Sequence, residues 1–402
     1  MTASSQTLPT NADESRDFSV ILGGPLYQLF CKAHLCGHVL ELLKRRVLVL
    51  CGIAWLPLLA FTILEGNAWN PSIKVPFLID IEDYVRFLVA LPLFVVAELV
   101  VHERMRLVVR QFLERGLIPD NERPRFDAAI AAALRLRNSI RAELILIAIV
   151  YVLGVYLMWQ GPISLNAVSW EGTFGRGELH PTLAGLWFRC VSLPLLQFLL
   201  LRWYFRIFIW TRFLWQVSRL HLNLIPAHPD RSAGLGFLTL ISYAFTPLLL
   251  AQGALVAGVI ADRIIYTGAR LPQFKVEIIV LVVVAFLMVV GPLLSFVGRL
   301  SQLKRVALLE YGALAQRYTR EFDQKWLHGS APPDEPLLGS GDIQSLADLG
   351  NSFEVIKQIK VIPFTPRALV QLVVVALVPI APLLLTMLSP EELLQRLMRV
   401  VF

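Results

Sequence analysis

The sequence predicts an all-α membrane protein, a polytopic bundle of about seven transmembrane helices with a small cytoplasmic helical cap. Two observations predict it. The chain of 402 residues is 56% hydrophobic and only 17% charged, a balance that ordinary soluble domains do not reach. Its apolar residues also gather into stretches of roughly 20, the length a helix needs to cross a bilayer, at 47–64, 83–101, 143–160, 183–201, 235–261, 277–298 and 368–389.

The first element, 1–46, opens on the polar "MTASSQTLPTNADESRDF" and carries no cleavable secretory pattern, so the first span is expected to stay in place. The segment "FSVILGGPLYQLF" (18–30), broken by Gly23, Gly24 and Pro25, is too short to span and is expected at the interface or against the bundle. In "CKAHLCGHVLELLKRR", helical spacing puts Cys31, His34 and His38 on one face and Cys36 away from it, and the separations match no common zinc module. We read it as an amphipathic helix leading to Lys44, Arg45 and Arg46, with no metal or cofactor implied.

After span two, the insertion 102–142 reads as a helix, a turn around Gly116 to Pro124, and an Ala-rich helix feeding span three. Span four runs on into "RWYFRIFIWTRFLWQVSRLHLNL", where Trp203, Trp210 and Trp215 among Arg202, Arg206 and Arg212 suit a headgroup layer. Within 299–367, Leu300, Leu303, Ala307, Leu308, Tyr311 and Leu314 recur at helical spacing and extend span six. The Pro/Gly stretch 328–342 works as a linker, and "IQSLADLGNSFEVIKQIKVIPF" forms a further helix that Pro363 and Pro366 end. Residues 368–402 supply span seven and a short periplasmic tail.

Lys and Arg fall mostly in alternate loops, which predicts a cytoplasmic amino terminus and, with an odd number of spans, a periplasmic carboxyl terminus. The net charge of +7 is thus a topology signal. It attracts anionic lipid headgroups rather than nucleic acid, because the basic residues flank membrane spans. Four cysteines, placed on the cytoplasmic side or within spans, imply no disulfide framework.

The segments "SLADLGNSFEVIKQIKVIPF" and "LVPIAPLLLTMLSPEELLQRL", with the loop "HPDRSAGLGFL", resemble an uncharacterised family of polytopic inner-membrane proteins of proteobacteria. The resemblance implies a bacterial inner membrane and brings no activity or catalytic residue with it.

Ionisable groups within spans are the first candidates for function. Glu98 lies one turn from His102 near the cytoplasmic end of span two, while Arg86 and Arg189 lie near outer ends, within reach of Glu65, Asp80 and Glu82. None is at mid-depth, so all read as interfacial anchors. Pro57, Pro92, Pro194, Pro247, Pro292, Pro379 and Pro382 kink six of the spans. The freed carbonyls, together with Ser192, Gln197, Thr246 and Gln252, make a candidate polar path at mid-depth.

The loop "LIPAHPDRSAGLGFL" (224–238) has two readings. Asp230 or Ser232 caps the next helix, or Arg231 and the free amides bind an anion such as a lipid phosphate, with His228 adding pH sensitivity. Nucleophile-elbow, phosphate-loop and dinucleotide patterns are missing, so no enzyme class is favoured, although His221, His228 and Asp230 leave an interfacial lipid-modifying activity open. The leading reading is a channel or facilitator; the alternative is a membrane-anchored scaffold or signalling component acting through its cytoplasmic helices. A homo-oligomer or a cytoplasmic protein partner fits either.

Overall fold

The computed structural model describes residues 19, 23–24, 39–71, 73–155, 169–175, 178–329, 331–332 and 335–387. The candidate ligands Cys31, His34, Cys36 and His38, most of the 18–30 segment and the tail after Met387 lie outside them. In chain order the elements are α1 (Val39–Leu64), α2 (Ile81–Glu114), α3 (Arg123–Arg137) and α4, which begins as Ile140–Ile149 and continues as a wider turn through Val150–Val155. A hairpin follows, β1 (Gly172–Gly175) paired antiparallel with β2 (Glu178–Pro181), Thr173 opposite His180. Then come α5 (Leu183–Ser218), α6 (Thr246–Thr267), α7 (Leu271–Leu327), α8 (Gly341–Lys357) and α9 (Pro366–Met387).

Six of these helices are long and apolar enough to cross a membrane: α1, α2, α5, α6, α7 and α9. The chain also passes from one end of the bundle to the other between Glu143 and Trp170, as the contacts of these two residues show. Glu143 in α4 faces Arg202 at the arginine-rich end of the bundle, whereas Trp170 bonds Asp80 at the opposite end. The protein is therefore a multi-pass, all-α membrane bundle with one small hairpin on its less basic end.

Three helices outrun the stretches the sequence marks. The expected spans 83–101, 183–201 and 277–298 continue to Glu114, Ser218 and Leu327. A drop in hydropathy marks where the bilayer ends and not where the helix does, because nothing in those continuations breaks a helix. Gly116, at φ 63, is the first stop after α2. The expected span 235–261 is interrupted instead: a 3-10 turn over Gly236–Thr239 and a short helix over Leu240–Ala244 precede α6, which Pro247 starts and Gly268, at φ 69, ends.

The prolines explain the irregular turns. Pro92 and Pro194 each follow a π-helical turn, Val85–Ala90 and Phe188–Ser192, in which Leu91 N–H reaches Arg86 O and Leu193 N–H reaches Phe188 O. A proline ring crowds the carbonyl four residues back and offers no N–H, so the turn before it widens. Pro292 lies in the 3-10 turn Gly291–Phe296, and Pro379 and Pro382 lie in the turn Val378–Met387.

Inside the bundle, Phe87, Phe94, Phe112, Trp170, Trp203, Trp210 and Phe213 are fully buried. Lipid is as apolar as leucine, so close backbone approach at small residues does much of the joining. Gly253 on α6 abuts the Ala376 carbonyl of α9, which a Cβ would overlap, and a Cβ on Gly258 would come 3.3 Å from Val85 of α2.

Candidate functional site

At the arginine-rich end, four helices bring charge into the bundle. Glu98 of α2 accepts from Arg206 Nη1 at 2.7 Å and lies 3.5 Å from Arg202 and 3.6 Å from Arg46. Arg202 also faces Glu143 of α4 at 3.7 Å. Arg202 and Arg206 sit one turn apart on α5 and point the same way, so one helix face delivers two guanidiniums. Their expected place in the headgroup layer is corrected here: both are 5% exposed and face Glu98, and of the six Trp and Arg residues expected there only Arg212 and Trp215 are exposed. Trp203 stacks under Arg206, with the guanidinium 5.1 Å from its ring. Ser19 meets His102 Nδ1 at 2.8 Å at this end of α2.

At the opposite end the balance is acidic. Asp80 caps α2 by accepting from Asp83 N at 3.2 Å, and its other oxygen accepts from Trp170 Nε1 at 2.9 Å. Arg86 pairs with Glu82 and, at 3.1 Å, with Asp83. Asp262 of α6 is buried beside Asp80 and Glu82, and Glu171 and Arg189 complete the surroundings. Burial pushes the Glu171 carboxyl up to about 7, against the pull of Arg86.

The loop 224–238 is a knot of backbone bonds around one carboxylate. Asp230 Oδ1 accepts from Ser232 N at 2.8 Å and Gly234 N at 3.1 Å, and Oδ2 accepts from Gly236 N at 2.8 Å. The amides that an external anion would need are thus donated to Asp230 itself. Arg231 is exposed, at φ 54, and Ala233 is buried, at φ 55. His228 Nδ1 lies 3.0 Å from Asp230 Oδ1. The loop is also a mount: Arg231 O accepts from Lys360 N at 2.8 Å, Thr239 Oγ1 donates to Pro363 O, and Ala227 packs on Ala307, Ile356 and Ile359.

This joint holds an arm made of the outer part of α7 and α8. Arg299 donates to the Ser218 and Arg219 carbonyls, and Lys304 donates to Ile359 O. At the far end Asp342 accepts from Lys325 Nζ at 2.8 Å and Trp326 Nε1 at 3.0 Å, closing the two helices on each other. A groove of about 270 Å³ runs along the base of the arm, lined by Leu220, Leu222, Leu224, Leu303 and Val306, with His221, Arg299 and Gln302 contributing its polar part.

No family model, curated protein or solved structure matches this chain. Its own geometry therefore carries the functional argument. The mid-depth polar residues do not converge. Ser192 donates to Ala54 O at 2.7 Å, Gln252 donates to Tyr204 Oη at 3.3 Å and Met288 Sδ at 3.2 Å, Gln197 backs onto Gly154, and Thr246 stands at the start of α6. The gap between Met105, Trp203, Arg206, Trp210 and Phe245 has no room for a water molecule. Sequence reasoning missed the partners of Glu98 and the neighbours of Asp262, since each cluster joins residues of different helices far apart in the sequence.

Proposed function

We propose that this multi-pass protein sits in a bacterial inner membrane with its amino terminus in the cytoplasm, and acts as an anchored platform that engages a soluble protein through the arm. The Lys/Arg asymmetry supports the orientation, and anionic headgroups are the lipids its basic flanks favour. One observation carries the platform reading: a rigidly mounted arm presents an apolar groove that continues along α7 through Val306, 43% exposed, and Leu309, 73% exposed. Such a groove suits the apolar face of an amphipathic helix from the partner. The transport reading rests on a polar path at mid-depth, and among the described residues Ser192 and Gln252 are spent on partners inside the bundle.

Photo-crosslinking in intact cells tests the platform. A crosslinker at Leu309 is expected to trap a discrete protein adduct that Val306→Glu removes, while one at Ile279, on the spanning part of α7, yields none. Identical patterns at the two positions, or an adduct indifferent to Val306→Glu, would overturn it.

A further inference from the structure

We propose that the outward face of α5 at the arginine-rich end, made by Phe208, Arg212, Trp215 and Arg219, is a binding site for one anionic phospholipid. The four residues recur at helical spacing and are all exposed. At 3.6 residues per turn they fall within about 60° of one another on the helix surface, and about 130° round from Arg202 and Arg206. α5 thus carries two arginine pairs on different faces. The inner pair is spent on Glu98 and Glu143. Among the described residues no carboxylate pairs with Arg212 or Arg219, so the outer pair keeps its full charge for a ligand.

The length of α5 puts this face among headgroups. Its 36 residues measure about 54 Å against about 30 Å of hydrocarbon, and the charged end is the one that outruns it. Phe208, 55% exposed, offers its ring to acyl chains, and Trp215, 47% exposed, stands two turns further on, at the depth an indole prefers. Arg219 folds back over Trp215, its guanidinium 4.1 Å from the ring. The indole therefore rests one guanidinium beside it, while Arg212, one turn away, supplies another. A phosphodiester carries one negative charge on two free oxygens, which a guanidinium binds as a fork. A zwitterionic headgroup brings an ammonium as well, and this face has no acid to receive it. Lipids with net negative charge are therefore preferred.

The site lies at the root of the arm. Arg299 of α7 donates from Nε to Ser218 O and from Nη2 to Arg219 O, each at 3.1 Å. The residue whose side chain meets the lipid is thus one whose backbone holds the arm, and a bound headgroup steadies the end of α5 against which Arg299 is fixed. The site rests on the membrane placement of the bundle and not on what the arm binds.

Native mass spectrometry of the full-length protein tests the site, with equal amounts of phosphatidylglycerol and phosphatidylcholine of matched acyl chains added to the detergent. The wild type is expected to retain one phosphatidylglycerol in preference. Arg212→Gln combined with Arg219→Gln should lower that retention about tenfold or more, and Trp215→Ala should lower it less, because Arg219 loses its rest. Lys44→Gln combined with Arg45→Gln removes two exposed charges from the same end of the bundle, on α1, and should retain the lipid like wild type. All four cations are exposed and Arg219 O is untouched, so the fold is kept. Equal retention of the two lipids by the wild type would overturn the proposal. Equal losses in the two double variants would also overturn it, reducing the site to the general attraction of basic helix ends. So would a dimer that forms without lipid and is lost with Arg212→Gln and Arg219→Gln, which would give this face to a second copy of the chain.

Discussion

Replacing Asp230 should loosen the joint between arm and bundle by an amount that its bonds define. Its carboxylate accepts three backbone N–H groups, from Ser232, Gly234 and Gly236. A hydrogen bond to a charged group contributes about 1.5–3 kcal/mol. The low end applies here, since the Asp230 side chain is 19% exposed and water can replace part of what is lost. Asp230→Ala removes all three bonds and should cost about 4 kcal/mol. Asp230→Asn keeps the two at Oδ1 but sets an amide NH₂ against Gly236 N–H, and should cost about 1–2 kcal/mol. The pH dependence has a definite sign. Burial opposes the charge, but the amides of Ser232, Gly236 and Gly234 outweigh it and hold the carboxyl below its ordinary value. The stabilisation is therefore complete above the ordinary carboxylate range and is lost as pH falls through the lowered value. Chemical unfolding in mixed micelles measures the cost, and protease cleavage near Lys360, whose N–H is fixed by Arg231 O, reports the joint itself. An Asp230→Ala protein within about 0.5 kcal/mol of wild type would mean that water replaces the carboxylate fully, and the reasoning would fail.

Glu98→Gln should cost about 3–5 kcal/mol by the same unfolding assay, since it leaves Arg46, Arg202 and Arg206 facing one another within the bundle; a cost below about 1 kcal/mol would place the cluster in free contact with water. Gly253→Ala should abolish recovery of folded protein, because the added methyl overlaps the Ala376 carbonyl and backbone cannot yield there, whereas Gly298→Ala, which meets open space, should be recovered like wild type.

The spans were legible because the bilayer imposes a length on every helix that crosses it. What lies past the bilayer was less so. The residues of α7 beyond Phe296 read from their spacing as an extension of the span, but the parts they pack on, α8 and the 224–238 loop, lie too far off in the sequence to be seen locally. The charged clusters were hidden for another reason. Arg202 and Arg206 are visibly on one helix face, but which face turns inward depends on where Glu98 stands on α2 and Arg46 on α1. Asp80 and Glu82 could be noticed as acids near Arg86, whereas Asp262 closes a long apolar run and meets Asp80 only after α6 packs on α2. The 224–238 loop was more readable, because its chemistry is short-range: an Asp followed by a Ser and two glycines within six residues offers its own amides to its own carboxylate.

The length of α7 sets a scale for movement. Its outer portion, from Val297 to Leu327, follows a 3-10 turn at Gly291–Phe296. At 1.5 Å per residue it reaches about 45 Å beyond that turn. A lever of that reach converts a tilt of roughly 10° in the membrane into a swing of about 8 Å at Leu327. Events inside the bilayer too small to open a passage would still be felt, enlarged, at the end of the arm.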